Sequence, residues 1–188
     1  MRQQRGIAAF YSVSSHGLYG FAFADLGPSF TYQYAQKSTT TSATAGTDEA
    51  APAGHQTRTI SDSQSLEAFL ASFADQNQKL TWKRRGRQTG KLLFSAFLAQ
   101  YWDKEEVVRL LRAKGHSGFQ DAANEQAFAD LCAELQRTWN LAFNPCSSVI
   151  GAVMSQEILK VVTGRDHPGH GLFCYDSVNQ SMTVERPI

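Results

Sequence analysis

The chain has 188 residues, with 18 Lys and Arg against 17 Asp and Glu, a formal net charge of +1. That balance excludes a generally basic nucleic-acid binder and an acidic solvating tail as descriptions of the whole chain. Apolar residues make up 42%, and the chain is long enough to bury a core without staples.

The elements follow in chain order. Ile7 to Ser12 is apolar and aromatic and predicts a strand. Ser14 to Gly17 forms a turn cluster. Leu18 to Ala24 predicts a second strand, because Tyr19, Phe21 and Phe23 recur at period two. Leu26-Gly27-Pro28 breaks the run, and Phe30 to Tyr34 predicts a third strand. Together they read as a meander with one face buried and the other partly wet. Met1 to Ser15 holds two arginines and a short apolar run but no Ala-x-Ala-like cleavage site, so a strand is expected there and not a signal peptide.

From Lys37 to Thr59 there is no Val, Ile, Leu, Met, Phe, Trp, Tyr or Cys. Such a segment buries too little apolar area to offset its ordering entropy, about 1–2 kcal/mol per residue. The expected organisation is a strand region over 1–36, a flexible polar insertion over 37–59 and a helical region over 60–188. These form one incomplete domain overall.

Helical spacing begins after Ser61. Asp62 or Ser63 can cap, and Leu66, Phe69, Leu70 and Phe73 share a face. Leu92 to Trp102 and Asp121 to Phe143 predict two more helices, the latter stopped by Asn144-Pro145. The next helix, 145–163, has the clearest signals. Asn144 can cap it, Pro145 suits its first position, and Gly164 sits where a left-handed cap belongs. Val149, Ile150, Val153, Ile158, Leu159, Val161 and Val162 make it apolar nearly all round, which predicts burial. Gly151 lowers its propensity, and with the small Ala152 beside it the expected return is close approach of another backbone or helix. Leu172 to Asp176 and Met182 to Glu185 predict a closing strand pair.

Cys132, Cys146 and Cys174 are too far apart for a disulfide framework or a zinc site, and a reducing compartment is expected. No apolar run approaches the ~18 residues of a membrane span. Gly86 to Leu92 resembles a phosphate loop but is one residue short and lacks the Ser or Thr for a metal. No GxGxxG occurs. Lys83, Arg84, Arg85 and Arg87, with Lys91 and Trp82, form the one basic cluster. A solvated loop, a nuclear import signal and a nucleic-acid patch are its three readings, with nucleic acid not expected. His167 and His170 flank a Pro-Gly turn as a metal pair or a polar turn. His16 beside Ser14 and Ser15 has no orienting third group. Cys146 opens the helix at 145–163, either as a lowered-pKa thiol or as core. On that helix Gln156 and Glu157 either reach a surface, meet polar partners, or pair with Lys160.

The run NPCSSVIGAVMSQEILKVVTG, Asn144 to Gly164, resembles the late helix of activating enzymes for ubiquitin-like proteins. In that helix a proline and a small-residue stretch precede Gln-Glu-Ile/Val-x-Lys. Within the superfamily the chain is most similar to the non-catalytic, regulatory subunit of the SUMO-activating heterodimer. HPGHGLFCYD, His167 to Asp176, resembles that subunit's turn and aromatic strand. FYSVSSHGLYGFAFADL, Phe10 to Leu26, resembles its mid-chain hairpin. The resemblance reaches both ends of the chain but covers only the second half of the family's subunit.

The resemblance implies an α/β fold, the C-terminal half of a Rossmann-like adenylation-type subunit, built of a strand hairpin, helices and a terminal strand pair. In the family, the heterodimer adenylates the C-terminal glycine of SUMO with MgATP and passes it to a cysteine of the catalytic subunit. That chemistry needs cations arranged around the phosphates, and this sequence shows no such constellation. The chain is therefore not expected to bind a cofactor or to be catalytic alone. Its implied partners are the catalytic subunit and, indirectly, SUMO, with the nucleus and cytoplasm as address. An interaction module of a NEDD8- or ubiquitin-activating relative is the alternative. Gly151, Ala152, Gln156 and Glu157 are the candidate partner-interface positions.

Overall fold

A computed structural model describes residues 9–35, 55–74, 88–113, 122–139 and 141–186. Two hairpin strands, β1 (Phe10–His16) and β2 (Tyr19–Asp25), meet the closing pair β5 (Gly171–Asp176) and β6 (Ser181–Glu185) in one antiparallel sheet, ordered β1-β2-β5-β6. A second sheet pairs β3 (Phe30–Ala35) with β4 (His55–Ile60). Five helices complete the described residues: α1 (Leu66–Ala74), α2 (Gln88–Leu98), α3 (Lys104–Ala113), α4 (Ala122–Thr138) and α5 (Asn144–Thr163). The α/β class, the hairpin and the terminal strand pair are as expected.

Side-chain alternation explains the layering. On β2, Tyr19, Phe21 and Phe23 face the helices. They join Leu172 and Cys174 of β5, Phe69 and Phe73 of α1, and Leu93, Phe94 and Phe97 of α2 in the main core. Ala22 and Ala24 point the other way, with Phe173, onto Ile150 and Met154 of α5. Small residues on that face let the helix sit close. Gly20 is the tightest point, since a Cβ there would come 3.2 Å from the Ile150 side chain. Both faces of β2 are thus covered, and the partly wet meander is corrected. The third strand leaves the sheet because Leu26, Phe30, Tyr32 and Ile60 form a small core of their own with β4. The ribbon is tied to the end of α5, where Gln33 N–H donates to the Gly164 carbonyl at 2.7 Å and Asp166 N–H donates to the Gln33 carbonyl at 2.8 Å.

Several boundaries differ from expectation for identifiable reasons. His55–Thr59, assigned by composition to the polar insertion, lies in β4, because a ladder with β3 supplies the order that its composition cannot. Ser14 to His16 continue β1, and Gly17 and Leu18 make the turn, Gly17 with φ +58°, a left-handed conformation that suits glycine. Ser65 caps α1, its Oγ accepting from Ala68 N–H at 3.2 Å. Ser63 instead is buried, accepting from Leu26 N–H at 2.7 Å. α4 ends at Thr138, and Leu141 leaves the helical path to accept from Gly17 N–H at 2.8 Å. α3, not predicted from the spacing, is a short helix whose buried row is Val107, Leu110 and Leu111.

Candidate functional site

α5 starts at Asn144, with Phe143 as an extended N-cap and Pro145 in the first turn, so Asn144 is not the cap. It ends at Gly164, φ 63°, whose N–H returns to the Val161 carbonyl at 3.2 Å. Between these ends only Cys146, Ile150 and Met154 are fully buried. The expected all-round burial is corrected. Val149, Ala152, Ser155, Gln156, Ile158, Leu159 and Val162 lie exposed, Leu159 to 54% and Val162 to 77%. The main core lies on the opposite side of the sheet, so among the described residues α5 has only the sheet, and the β3–β4 ribbon at its end, to bury against.

The charges of α5 are drawn off this exposed side. Glu157 and Lys160 are its only charged residues, and they pair at 2.8 Å. Glu157 has a side-chain exposure of 12%, and its second oxygen accepts from Gly169 N–H at 2.6 Å. Of the four interface candidates, Ala152 and Gln156 therefore face outward, and Gly151 is half-buried on the flank. Glu157 does not face outward: it anchors the 165–170 loop ahead of β5. A Cβ at Gly151 would meet nothing within 4 Å, so the expected close approach is not made among the described residues. An uncharged helix face of ~30 Å, at 1.5 Å per residue, is unusual for a surface and is the composition of a protein interface.

The remaining candidates resolve into structure. Burial pushes the Cys146 thiol up, with Asp176 adding to the effect, so the helix start does not activate it. Burial also raises Cys132 to about 11 and holds Cys174 well above the usual thiol range. His16 stacks on Trp139 with ring centroids 3.9 Å apart and its Nδ1 bonds the Trp139 carbonyl, so it serves packing and not a serine. Asp176 is buried and organises the β5–β6 turn, accepting from Val178 N–H at 2.9 Å and from the Asn179 amide at 2.7 Å. Among the described residues no three His, Cys, Asp or Glu stand close enough to hold a metal, and no helix is long and apolar enough to cross a membrane. A cleft of about 530 Å³ lined by Tyr19, Asp130, Leu131, Glu134 and Asp176 carries carboxylates and no cation. It has the wrong sign for a triphosphate. Lys83, Arg84, Arg85 and Arg87 lie outside the described residues.

His170 and His16 make stability depend on pH. His170 is buried, its Nε2 3.1 Å from Asp62 Oδ1, with Arg186 and His167 as its other charged neighbours. Burial is the main cause lowering its pKa, and burial also lowers that of His16. A histidine depressed in the folded state takes its proton more readily when unfolded, so its contribution is complete above about 6.5 and is lost as pH falls. The urea midpoint is expected to drop between pH 7 and pH 5, and His170→Asn to flatten that slope. An unchanged midpoint in the parent chain would contradict the assignment.

No protein-family model matches the chain. The chain is similar to two Arabidopsis proteins, SUMO-activating enzyme subunit 1B-1 and subunit 1B-2. Each is 23% identical to it over 94% of this chain and 51% of the relative. SUMO-activating enzyme subunit 1A of the same plant is 24% identical over 55% of this chain and 36% of its own length. The chain spans about half the length of the curated relatives it matches first.

Proposed function

We propose that this chain acts as part of the non-catalytic subunit of a SUMO-activating enzyme. The observation that carries the reading is the similarity to subunit 1B over 94% of the chain. The uncharged outward face of α5 supports it, since a regulatory subunit works through a surface. In this reading Ala152 and Gln156 contact the catalytic subunit. MgATP and the thioester cysteine belong to that partner, SUMO is met through it, and the complex works in the nucleus and cytoplasm. The four-stranded sheet with helices on both faces would be the second half of a Rossmann-like adenylation subunit. The described residues of this chain fit no triphosphate, so no step through the nucleotide is assigned to them.

The test is light scattering after size exclusion of the chain mixed with the catalytic subunit of the Arabidopsis SUMO-activating enzyme. A one-to-one complex, weakened by Ala152→Arg and Gln156→Arg together, is the expected result. A well-folded chain that forms no complex overturns the reading.

A further inference from the structure

The loop between α5 and β5, residues 165–170, holds the β3–β4 ribbon against the rest of the fold. Arg165 forms a parallel bridge with Gln33 of β3, and Asp166 N–H donates to the Gln33 carbonyl at 2.8 Å. The His167 ring meets Tyr32 of β3 edge-on, with centroids 5.2 Å apart. His170 Nε2 lies 3.1 Å from Oδ1 of Asp62, just beyond the end of β4. On its other side the loop is fixed to α5, where Gly169 N–H donates to Glu157 Oε2 at 2.6 Å. The ribbon has only a small core, built on Leu26, Phe30, Tyr32 and Ile60. Among the described residues it shares no strand ladder with the four-stranded sheet. A unit with so few apolar contacts is the kind that opens locally, without global unfolding.

The grip of the loop depends on one buried ring. His170 is 2% exposed, and its Nδ1 has no hydrogen-bond partner among the described residues. In a neutral imidazole with Nε2–H toward Asp62, Nδ1 carries only a lone pair. Protonation places an N–H there, and a buried charged donor without an acceptor is costly. The charged groups facing the ring are divided. Asp62 favours the imidazolium, while Arg186 after β6 and His167 on the loop itself oppose it. Glu157, which holds the neighbouring Gly169, already pairs with Lys160. Burial outweighs the attraction to Asp62, so the closed loop keeps the His170 pKa below its ordinary value.

We infer that loop 165–170 is an acid-released latch: protonation of His170 frees the loop from Asp62 and Gln33 and lets the β3–β4 ribbon open while the four-stranded sheet stays folded. Opening puts the ring in water, where it takes a proton with the ordinary imidazole pKa of about 6.5. The proton therefore binds the open form better and shifts the equilibrium toward it. Were the closed form to bind no proton at all, the opening constant would rise about eightfold from pH 7 to pH 5.5. That is the ceiling, and Asp62 keeps the parent chain below it. The latch uses only contacts among these elements and is independent of the proposed function.

Hydrogen exchange of the full chain, read by mass spectrometry at pH 7 and pH 5.5 with labelling times scaled for the intrinsic rate, tests it. Opening of β3, β4 and the loop is expected to rise about three- to eightfold on acidification, while β2 and β5 keep their protection. His170→Gln should remove the rise, whatever it does at pH 7. Two further variants should move the rise in opposite directions. Arg186→Gln takes away an opposing cation and should shrink it. Asp62→Asn takes away the attraction to the imidazolium and should carry it toward the ceiling. A merely structural contact would loosen in both variants by the same factor at both pH values. No rise in the ribbon, a rise shared equally by β2 and β5, or a rise that survives in His170→Gln would each overturn the proposal.

Discussion

Replacing Gly171 by alanine is expected to destabilise the chain by about 3–5 kcal/mol, more than any other glycine substitution on the sheet. Two costs add. Gly171 has φ 93°, a conformation that L side chains rarely adopt. A Cβ there would also sit well inside contact distance of the Glu185 backbone carbonyl on the adjoining strand. A backbone atom in a ladder cannot rotate away, so either β5 or β6 must move. Gly164 separates the two costs. Its φ is 63°, yet a Cβ placed there would meet nothing within 4 Å, so Gly164→Ala should cost only about 1 kcal/mol. Urea unfolding of the two variants reads the difference. Equal losses would mean that the Glu185 carbonyl yields easily and the steric argument is wrong.

How far the sequence discloses this fold depends on what each signal measures. Period-two aromatics place β2 well, because Phe21 and Phe23 stand on one pleated face against the helices. Pairing partners are not legible. β3 alternates much as β2 does, and only the tertiary arrangement sends Phe30 and Tyr32 to a separate core with Ile60. β4 is hidden for a related reason. His55-Gln-Thr-Arg-Thr has no large apolar residue, and its order comes from the ladder to β3 and from Arg58 over the Tyr34 ring, 4.5 Å from its centroid. α3 escapes notice because its first turn, Lys104-Glu-Glu, is charged and its apolar row is only three residues long.

The candidate site shows the same limit. Apolar content predicts that a surface will be covered, not by which chain. In α5 the sequence signals are correct for the helix and for its Gly164 end and misplace the cap by one residue, but burial is not a property of the residues alone. It depends also on the neighbours: Val162 and Leu159 are as apolar as Ile150 and face solvent. Glu157 illustrates the converse. Its place beside Gln156 suggests a shared surface role, whereas one helical step of 100° turns it toward Gly169 and the 165–170 loop. No pattern in the sequence marks that loop's free N–H as the reason for the carboxylate.

Phe21→Ala is expected to have the second large effect, about 3–5 kcal/mol, from a site where a ring bridges two layers. Phe21 is 2% exposed, with its centroid 4.6 Å from that of Phe97 on α2 and 5.9 Å from that of His16. Its removal takes away the apolar transfer energy and leaves a cavity between a rigid central strand and the helix layer, neither of which can collapse freely. Against a total stability of about 5–15 kcal/mol for a domain, that loss would leave a large unfolded fraction at moderate temperature. Phe10→Ala provides the contrast. Phe10 stands on the same face of the sheet, one strand over, but beyond the reach of the helices at 57% exposure. Its truncation should change the monomer's stability by no more than about 0.5 kcal/mol. Thermal unfolding at dilute concentration compares the two directly. A large loss for Phe10 would mean that its ring is packed against the helices and that the 57% exposure does not describe the folded chain.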